Sequence, residues 1–141
     1  MVSALIFAGG IGQRMKSLDI PKQFLEIEGK PIIVRTMEHF SNHPMVDNIV
    51  VVCVENWLDV LNQDIEKFGI KKVIKTVPGG ATGYHSIHNG LLEVAKVASD
   101  DDIVLICDGV RPMLSEDLIT TCIEDARKYE SAVPVTPSID S

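Results

Sequence analysis

A glycine-rich segment after the first apolar run is the first feature of the sequence that could bind a ligand. It reads Ala8-Gly9-Gly10-Ile11-Gly12-Gln13-Arg14-Met15, so one cation follows three glycines. Glycines let a backbone turn sharply and approach a ligand closely, and successive N–H groups can then point at phosphate oxygens. The spacing matches neither a Walker A loop nor the dinucleotide fingerprint. Taken alone, the segment is either a phosphate-binding loop or a tight turn.

Three further segments carry groups that suit anionic ligands. Lys22 stands in Pro21-Lys22-Gln23, where the proline stiffens the chain, and it could close over the same phosphates or be an ordinary exposed lysine. The second segment is Asp108-Gly109-Val110-Arg111-Pro112. Its carboxylate could cap a turn or bind a cation, and its guanidinium could bind a phosphate or form a surface ion pair. A second glycine pair, Gly79-Gly80, precedes a helix that begins near Ser86.

Short apolar runs, most of them rich in Val and Ile, lie shortly before the glycine-rich segment, the second glycine pair and Asp108. Continuous rather than alternating hydrophobicity predicts buried parallel strands covered on both faces. The predicted strands are Ala4–Phe7, Ile49–Val54, Lys72–Thr76, Ile103–Cys107 and Ala132–Val135.

Amphipathic stretches between the runs predict helices. Apolar stripes lie at helical spacing from Trp57 to Phe68 and from Leu118 to Ala126, and a further helix is expected over Ser86–Val97. Pro31 suits a first helical turn, and Ser115 suits an N-cap. Alternating strands and helices predict one α/β domain over 1–141, an open and mostly parallel sheet with helices on both faces. Ligands then bind beyond the C-terminal ends of the strands.

Composition narrows the function classes. The chain has 141 residues, 45% of them hydrophobic, which can bury a core and argues against disorder. The formal charge of −7 has the wrong sign for broad binding to nucleic acid. The N-terminal apolar run is too short for a signal peptide or a membrane span, and the three cysteines lack zinc or disulfide spacing. These features favour a cytoplasmic protein that binds neither nucleic acid nor membrane.

The ordered set of motifs resembles one enzyme family. The glycine-rich segment, Arg14, Pro21-Lys22-Gln23 and Asp108-Gly109-Val110-Arg111-Pro112 together resemble the sugar nucleotidyltransferases, specifically the cytidylyltransferases that attach CMP to ribitol 5-phosphate or to 2-C-methyl-D-erythritol 4-phosphate. The resemblance implies a Rossmann-like fold of the nucleotide-diphospho-sugar transferase type. It also implies CTP and an alditol phosphate as substrates, Mg²⁺ as cofactor, and a CDP-alditol and pyrophosphate as products.

The resemblance also implies a role for each matching residue. Arg14 and Lys22 correspond to the catalytic cations, Asp108 to the residue that places Mg²⁺ and substrate, and Arg111 to a ligand of the substrate phosphate. The implied nucleotide-binding residues are Ala8, Gly9, Gly10, Ile11, Gly12, Gly79, Gly80, Ala81 and Ser86.

The sequence departs from the family pattern in two places. Relatives have an acidic residue and an arginine where this chain has Thr82 and Gly83, and His85 or His88 could compensate for the arginine. Relatives also continue beyond the segment that corresponds to residues 134–141, so we expect the arm that builds the family homodimer to be missing.

Three readings follow from these observations. The first is a cytidylyltransferase, with ribitol 5-phosphate preferred because of the Gly9-Gly10-Ile11-Gly12 opening, Trp57 and the stretch from Lys67 to Ile70. The isoprenoid enzyme acting on methylerythritol phosphate is its alternative. The second is a non-catalytic CTP-binding module, consistent with Gly83. The third, an NAD oxidoreductase, fits poorly because the glycine spacing and Lys22 do not match that fold's fingerprint.

Overall fold

A computed structural model describes residues 1–8, 20–110 and 114–130 of the chain. The elements in chain order are β1 (Val2–Ala8), β2 (Glu26–Ile27), β3 (Lys30–Pro31), α1 (Ile32–Ser41), β4 (Asn48–Cys53), α2 (Leu58–Lys67), β5 (Val73–Pro78), α3 (Gly83–Ala95), β6 (Ile103–Asp108) and α4 (Glu116–Tyr129). The described ranges also contain one-turn 3-10 helices at Lys22–Phe24 and Glu55–Trp57.

Four of the strands form a parallel sheet in the order β5-β4-β1-β6. β1 pairs with β4 on one side, with Ala8 opposite Cys53, and with β6 on the other, with Phe7 opposite Asp108. β2 and β3 form a separate antiparallel hairpin. Because β1 is central and all four strands point the same way, their C-terminal ends form one edge of the sheet.

Helices cover both faces of this sheet, as the continuous apolar runs predict. On one face, Ala4 and Ile6 of β1 join a core with α1, α2 and α4. On the other, Leu5 joins a smaller cluster with Val52 and with Val94 of α3. The predicted Rossmann-like α/β sheet is therefore confirmed.

The predicted strands and helices are present within a few residues of their expected bounds. β1 and β6 are slightly longer than expected, while the predicted strand Ala132–Val135 lies outside the described residues. Ser115 caps α4, since its hydroxyl accepts a hydrogen bond from the Leu118 N–H at 3.0 Å. Pro31 lies at the N-cap of α1, one position before the expected first turn, because it also ends the β2–β3 hairpin.

The helix after the second glycine pair begins three residues earlier than expected. Thr82 is its N-cap and accepts a hydrogen bond from the His85 N–H at 3.2 Å, which allows the helix to start at Gly83. Across the described ranges, we find no helix with both the length and the apolar character required to cross a bilayer.

Candidate nucleotide site

Three loops meet at the C-terminal edge of the sheet. The Gly79 N–H donates to the Cys53 carbonyl at 2.8 Å, which joins the loop after β5 to the end of β4. The Gly109 N–H donates to the Phe7 carbonyl at 2.9 Å, which joins the loop after β6 to the end of β1. The chain also leaves β1 at Ala8 and returns near it at Gln23, whose side-chain amide donates to the Ala8 carbonyl.

The loop after β6 approaches β1 so closely that a side chain barely fits. A Cβ built on Gly109 would lie 3.0 Å from the Ala8 Cβ. Thr36 of α1 is fully buried, and its hydroxyl donates a hydrogen bond to the Gly109 carbonyl at 3.0 Å, which attaches this loop to α1. The position of Asp108 is therefore restrained by the pairing of β6 with β1 and by the two hydrogen bonds of Gly109, the next residue.

Asp108 is half-buried at the end of β6 and already has one structural task. Its Oδ1 accepts a hydrogen bond from the Val110 N–H at 3.0 Å, an Asx turn of the kind that ends a strand. Within the described ranges, its other carboxylate oxygen has no hydrogen bond. One oxygen thus shapes the loop, and the other is available to a ligand.

Ser86 organises the loop after β5 from inside the protein. It is fully buried, its Oγ accepts from the Gly80 N–H at 3.2 Å, and its hydroxyl donates to the Thr82 carbonyl at 3.1 Å. A Cβ on Gly80 would lie 2.2 Å from the Cβ of His85, so only glycine fits there. The hydroxyl acts here on the loop backbone, and a direct contact to a nucleotide stays a prediction for Ser86.

An aromatic and imidazole cluster borders the same loop. The His85 ring nitrogen Nδ1 lies 2.9 Å from the Thr82 hydroxyl oxygen, and Tyr84, which is 76% exposed, stacks on His88 with ring centroids 6.4 Å apart. No heavy atom lies within 4 Å of a Cβ built on Gly83. The position where the family resemblance predicts an arginine therefore has open space around it.

Lys22 is exposed at the first position of its 3-10 turn. Gln23 and Phe24, which follow it, are both buried, and Phe24 stacks on Trp57 with ring centroids 4.9 Å apart. Trp57 thus packs within the protein, as its place on an apolar helical stripe predicts. The turn is anchored beside the end of the central strand with the lysine directed outward.

Gln23 is a residue of this edge that sequence reasoning missed. The motif was interpreted through the charge of its neighbour Lys22, and no regular pattern in the sequence indicates that the Gln23 amide is buried. The signal that could have found it is its place between a charged residue and the apolar Phe24-Leu25.

Cys53 ends β4 at the same edge and is fully buried. Burial raises the pKa of its thiol from 9.0 to about 12, because the thiolate would be desolvated. The thiol is therefore neutral near pH 7 and supplies no anion to the site.

The structure brings together some of the predicted site residues and leaves the others outside its described ranges. Ala8, Lys22 and Asp108 lie on adjoining loops of one edge, and the segment Gly79–Ala81 and Ser86 form the neighbouring loop and helix start. The predicted residues outside the described ranges are Gly9, Gly10, Ile11, Gly12, Arg14 and Arg111. No cluster of three or more His, Cys, Asp or Glu suited to a metal ion occurs in the described segments.

Comparison with protein families gives one match over almost the whole chain. The family model for 2-C-methyl-D-erythritol 4-phosphate cytidylyltransferase matches residues 2–141.

Curated relatives include enzymes for both alditol phosphates. The chain is 45% identical over 138 residues to a ribitol-5-phosphate cytidylyltransferase of Vibrio parahaemolyticus, covering 98% of this chain and 58% of the relative. It is 43% identical over 130 residues to a 2-C-methyl-D-erythritol 4-phosphate cytidylyltransferase of Clostridium botulinum, covering 92% and 55%. The chain thus spans a little more than half the length of these relatives.

A solved structure shares the fold. The 4-diphosphocytidyl-2C-methyl-D-erythritol synthase of Anaerococcus prevotii superposes with a TM-score of 0.70 and 30% identity, over 90% of this chain and 51% of that one.

Proposed function

Because the chain belongs to the 2-C-methyl-D-erythritol 4-phosphate cytidylyltransferase family, we propose that residues 1–141 form a single nucleotide-binding domain of a cytidylyltransferase. The reaction transfers CMP from CTP to an alditol phosphate and releases pyrophosphate. The observation that carries the proposal is the meeting of three loops at one sheet edge, where Lys22 and Asp108 adjoin the end of the central strand. This domain corresponds to a little more than half of the length of the curated relatives.

The preferred acceptor is ribitol 5-phosphate. The match to the ribitol-phosphate enzyme of V. parahaemolyticus covers 98% of this chain, which supports ribitol 5-phosphate. Trp57 and the stretch that begins at Lys67 support the same choice. Methylerythritol phosphate is the alternative acceptor, supported by the relative from C. botulinum.

The reaction requires two anions to approach each other. The acceptor phosphate attacks the α-phosphorus of CTP in line with the departing pyrophosphate, and negative charge grows on the pentacoordinate phosphorus. Lys22 and Arg14 supply the cations that stabilise this charge. The backbone N–H groups of the segment Gly9–Gly12 hold the β and γ phosphates, with Ala8 at the base of the loop.

The second glycine loop reads the base. Backbone groups of Gly79, Gly80 and Ala81 bind the edge of cytosine, and Ser86 supports them through its hydrogen bonds to the Gly80 and Thr82 backbone. Recognition of a base by backbone groups requires a loop of fixed conformation. The buried Ser86 hydroxyl fixes this loop because it both accepts and donates a hydrogen bond.

The acceptor side of the site lies after β6. Arg111 binds the alditol phosphate, because its planar guanidinium matches two phosphate oxygens at once. Asp108 orients the acceptor from the end of the strand.

The residues present fit a bound Mg²⁺. The second carboxylate oxygen of Asp108, which has no hydrogen bond to the described residues, is a hard ligand at a half-buried strand end, and Mg²⁺ needs few protein ligands when phosphate oxygens and water complete its shell. When bound, the ion neutralises phosphate charge. Asp108 is the residue that would hold it.

A second candidate function is a CTP-binding module without turnover. The open space at Gly83, where relatives carry arginine, favours it, since one cation near the nucleotide is absent. With either function we expect a cytoplasmic protein with small-molecule partners and without nucleic acid or membrane; the charge of −7 supports the expectation for nucleic acid. The homodimer that the family resemblance implies stays a prediction.

The test is pyrophosphate release from CTP and Mg²⁺ with ribitol 5-phosphate or methylerythritol phosphate, run together with calorimetric titration of CTP. Release with ribitol 5-phosphate supports the preferred reaction, and release with methylerythritol phosphate alone supports the alternative. Binding of CTP without release supports the module. Absence of both in this chain and in a longer version of it would contradict the proposal.

A further inference from the structure

We propose that Gln23 is a positioning residue that holds Lys22 at the end of the central strand, an inference that rests on the proposed cytidylyltransferase function. Gln23 is only 5% exposed, and its Nε2 donates a hydrogen bond to the carbonyl oxygen of Ala8. Ala8 is the last residue of β1. The amide thus joins the turn that carries Lys22 to the strand from which the glycine-rich segment departs.

A buried amide at this position costs more free energy than an apolar side chain would if the residue served only for packing. Burial of an amide costs free energy unless its polar atoms are hydrogen-bonded, whereas an apolar residue of similar size packs without a partner. A hydrogen bond also has a preferred direction, which an apolar contact lacks. Gln23 therefore fixes the orientation of the turn as well as its distance from β1.

The other anchors of the turn lie on its C-terminal side. Phe24 is buried and stacks on Trp57 at an interplanar angle of 27°, and the Leu25 carbonyl accepts from the Ile32 N–H at 2.9 Å. These contacts attach the turn to the start of α2 and to α1. Only Gln23, among the described side chains of the turn, bonds to the strand end.

The geometry of a 3-10 helix transmits this restraint to Lys22. Successive side chains project about 120° apart around the axis, so a buried Gln23 directs the preceding side chain away from the core. Lys22 is exposed, as this requires. A small rotation of the turn would move the lysine ammonium by an ångström or more, and a misplacement of that size costs on the order of 10²-fold in rate.

Two substitutions separate positioning from packing. Gln23→Leu keeps the volume and removes the donor at every pH. Gln23→Glu keeps the length and can donate to the Ala8 carbonyl only when its carboxyl is protonated, because an ionised carboxylate is an acceptor alone. We expect kcat of Gln23→Leu to fall about 10- to 100-fold with KM for CTP changed less than about threefold. We expect kcat of Gln23→Glu, divided by wild-type kcat at the same pH, to decrease as pH rises.

The matched controls are Gln63→Leu and Gln63→Glu, because Gln63 is exposed on α2. Both should keep wild-type kcat at every pH. Wild-type kcat in Gln23→Leu, or a Gln23→Glu ratio that does not change with pH, would overturn the proposal.

Hydrogen–deuterium exchange of the peptide that contains residues 21–25 supplies a readout that needs no turnover. Gln23→Leu should exchange faster than wild type in this peptide, while the Gln63 variants should not. If neither this chain nor a longer version of it releases pyrophosphate, the proposed transferase function fails, and exchange still decides whether Gln23 holds the turn. Unchanged exchange in Gln23→Leu would overturn the proposal independently.

Discussion

At the scale of single residues, most polar side chains described at the sheet edge form hydrogen bonds with backbone groups and so fix the conformation of the loops. Ser86 bonds two loop groups, Asp108 closes its own turn, and Gln23 reaches the end of β1. Lys22 differs from them because it is exposed. The edge therefore combines side chains that fix loops with an exposed cation.

Replacing Lys22 with alanine should reduce pyrophosphate release on the order of 10²- to 10³-fold, because a charge that acts mainly on the transition state is lost. Steady-state kinetics with CTP and ribitol 5-phosphate measure the change. Lys71→Ala is the control, since Lys71 is an exposed lysine before β5. Equal rates in the two variants would contradict the assigned role of Lys22.

Asp108→Asn should raise the Mg²⁺ concentration needed for half-maximal rate at least tenfold while thermal stability changes little. The asparagine carbonyl can still accept from the Val110 N–H and keep the turn, but the charge for the cation is lost. Magnesium titrations of rate and melting curves measure the two effects. Asp108→Ala removes both functions, so it should lower the melting temperature as well.

Cys53 should resist alkylation in the native protein. Burial raises the pKa of its thiol to about 12, so almost none is thiolate at pH 8. Mass spectrometry after iodoacetamide treatment should find Cys53 unmodified in buffer and modified in urea.

The same pKa shift of Cys53 affects stability at high pH. Because the unfolded thiol ionises above about pH 9 while the native thiol keeps its proton, the contribution of Cys53 to the free energy of unfolding should decrease as pH rises from 9 toward 12.

At the scale of elements, α3 can lie on the sheet only because one of its residues lacks a side chain. A Cβ on Gly90 would lie 2.2 Å from the Leu5 Cδ1 and 2.9 Å from the Val52 Cγ2. The helix that carries Ser86 at its start thereby rests directly on β1 and β4. Close packing at Gly90 thus sets the height of the second glycine loop over the sheet.

Gly90→Ala should lower the free energy of unfolding by about 1 to 3 kcal/mol, because overpacking outweighs the better helix propensity of alanine. Gly83→Ala, at the first residue of the same helix, has open space around its Cβ and should be neutral or slightly stabilising. Urea denaturation of both variants measures the difference. A stabilising Gly90→Ala would contradict the close contact.

The elements were largely predictable from the sequence because each strand is a continuous apolar run and each helix has an apolar stripe. The hairpin of β2 and β3 was not, since it has two residues in each strand and depends on positive φ at Glu28 and Gly29. For the site, the resemblance supplied Lys22 and Asp108. The contact of Gln23 with Ala8 depends on how distant segments pack, which local pattern does not encode.

At the scale of the whole molecule, the sheet order decides which loops meet. β1 lies between β4 and β6, so the C-terminal ends of β1 and β6 become neighbours although about a hundred residues separate them. The net charge of −7 makes the surroundings unfavourable to an anionic ligand, so any cation that binds one has to act locally.

The central place of β1 also has a consequence for biosynthesis. β1 leaves the ribosome before either of its neighbours and is bordered on both sides in the native sheet, yet its partner β6 is translated about a hundred residues later. Until then, one backbone edge of an apolar strand is open to wrong partners, a state that favours aggregation and chaperone binding. A nascent chain arrested before residue 103 should therefore remain a client of the folding machinery, and one arrested well beyond residue 108 should be released.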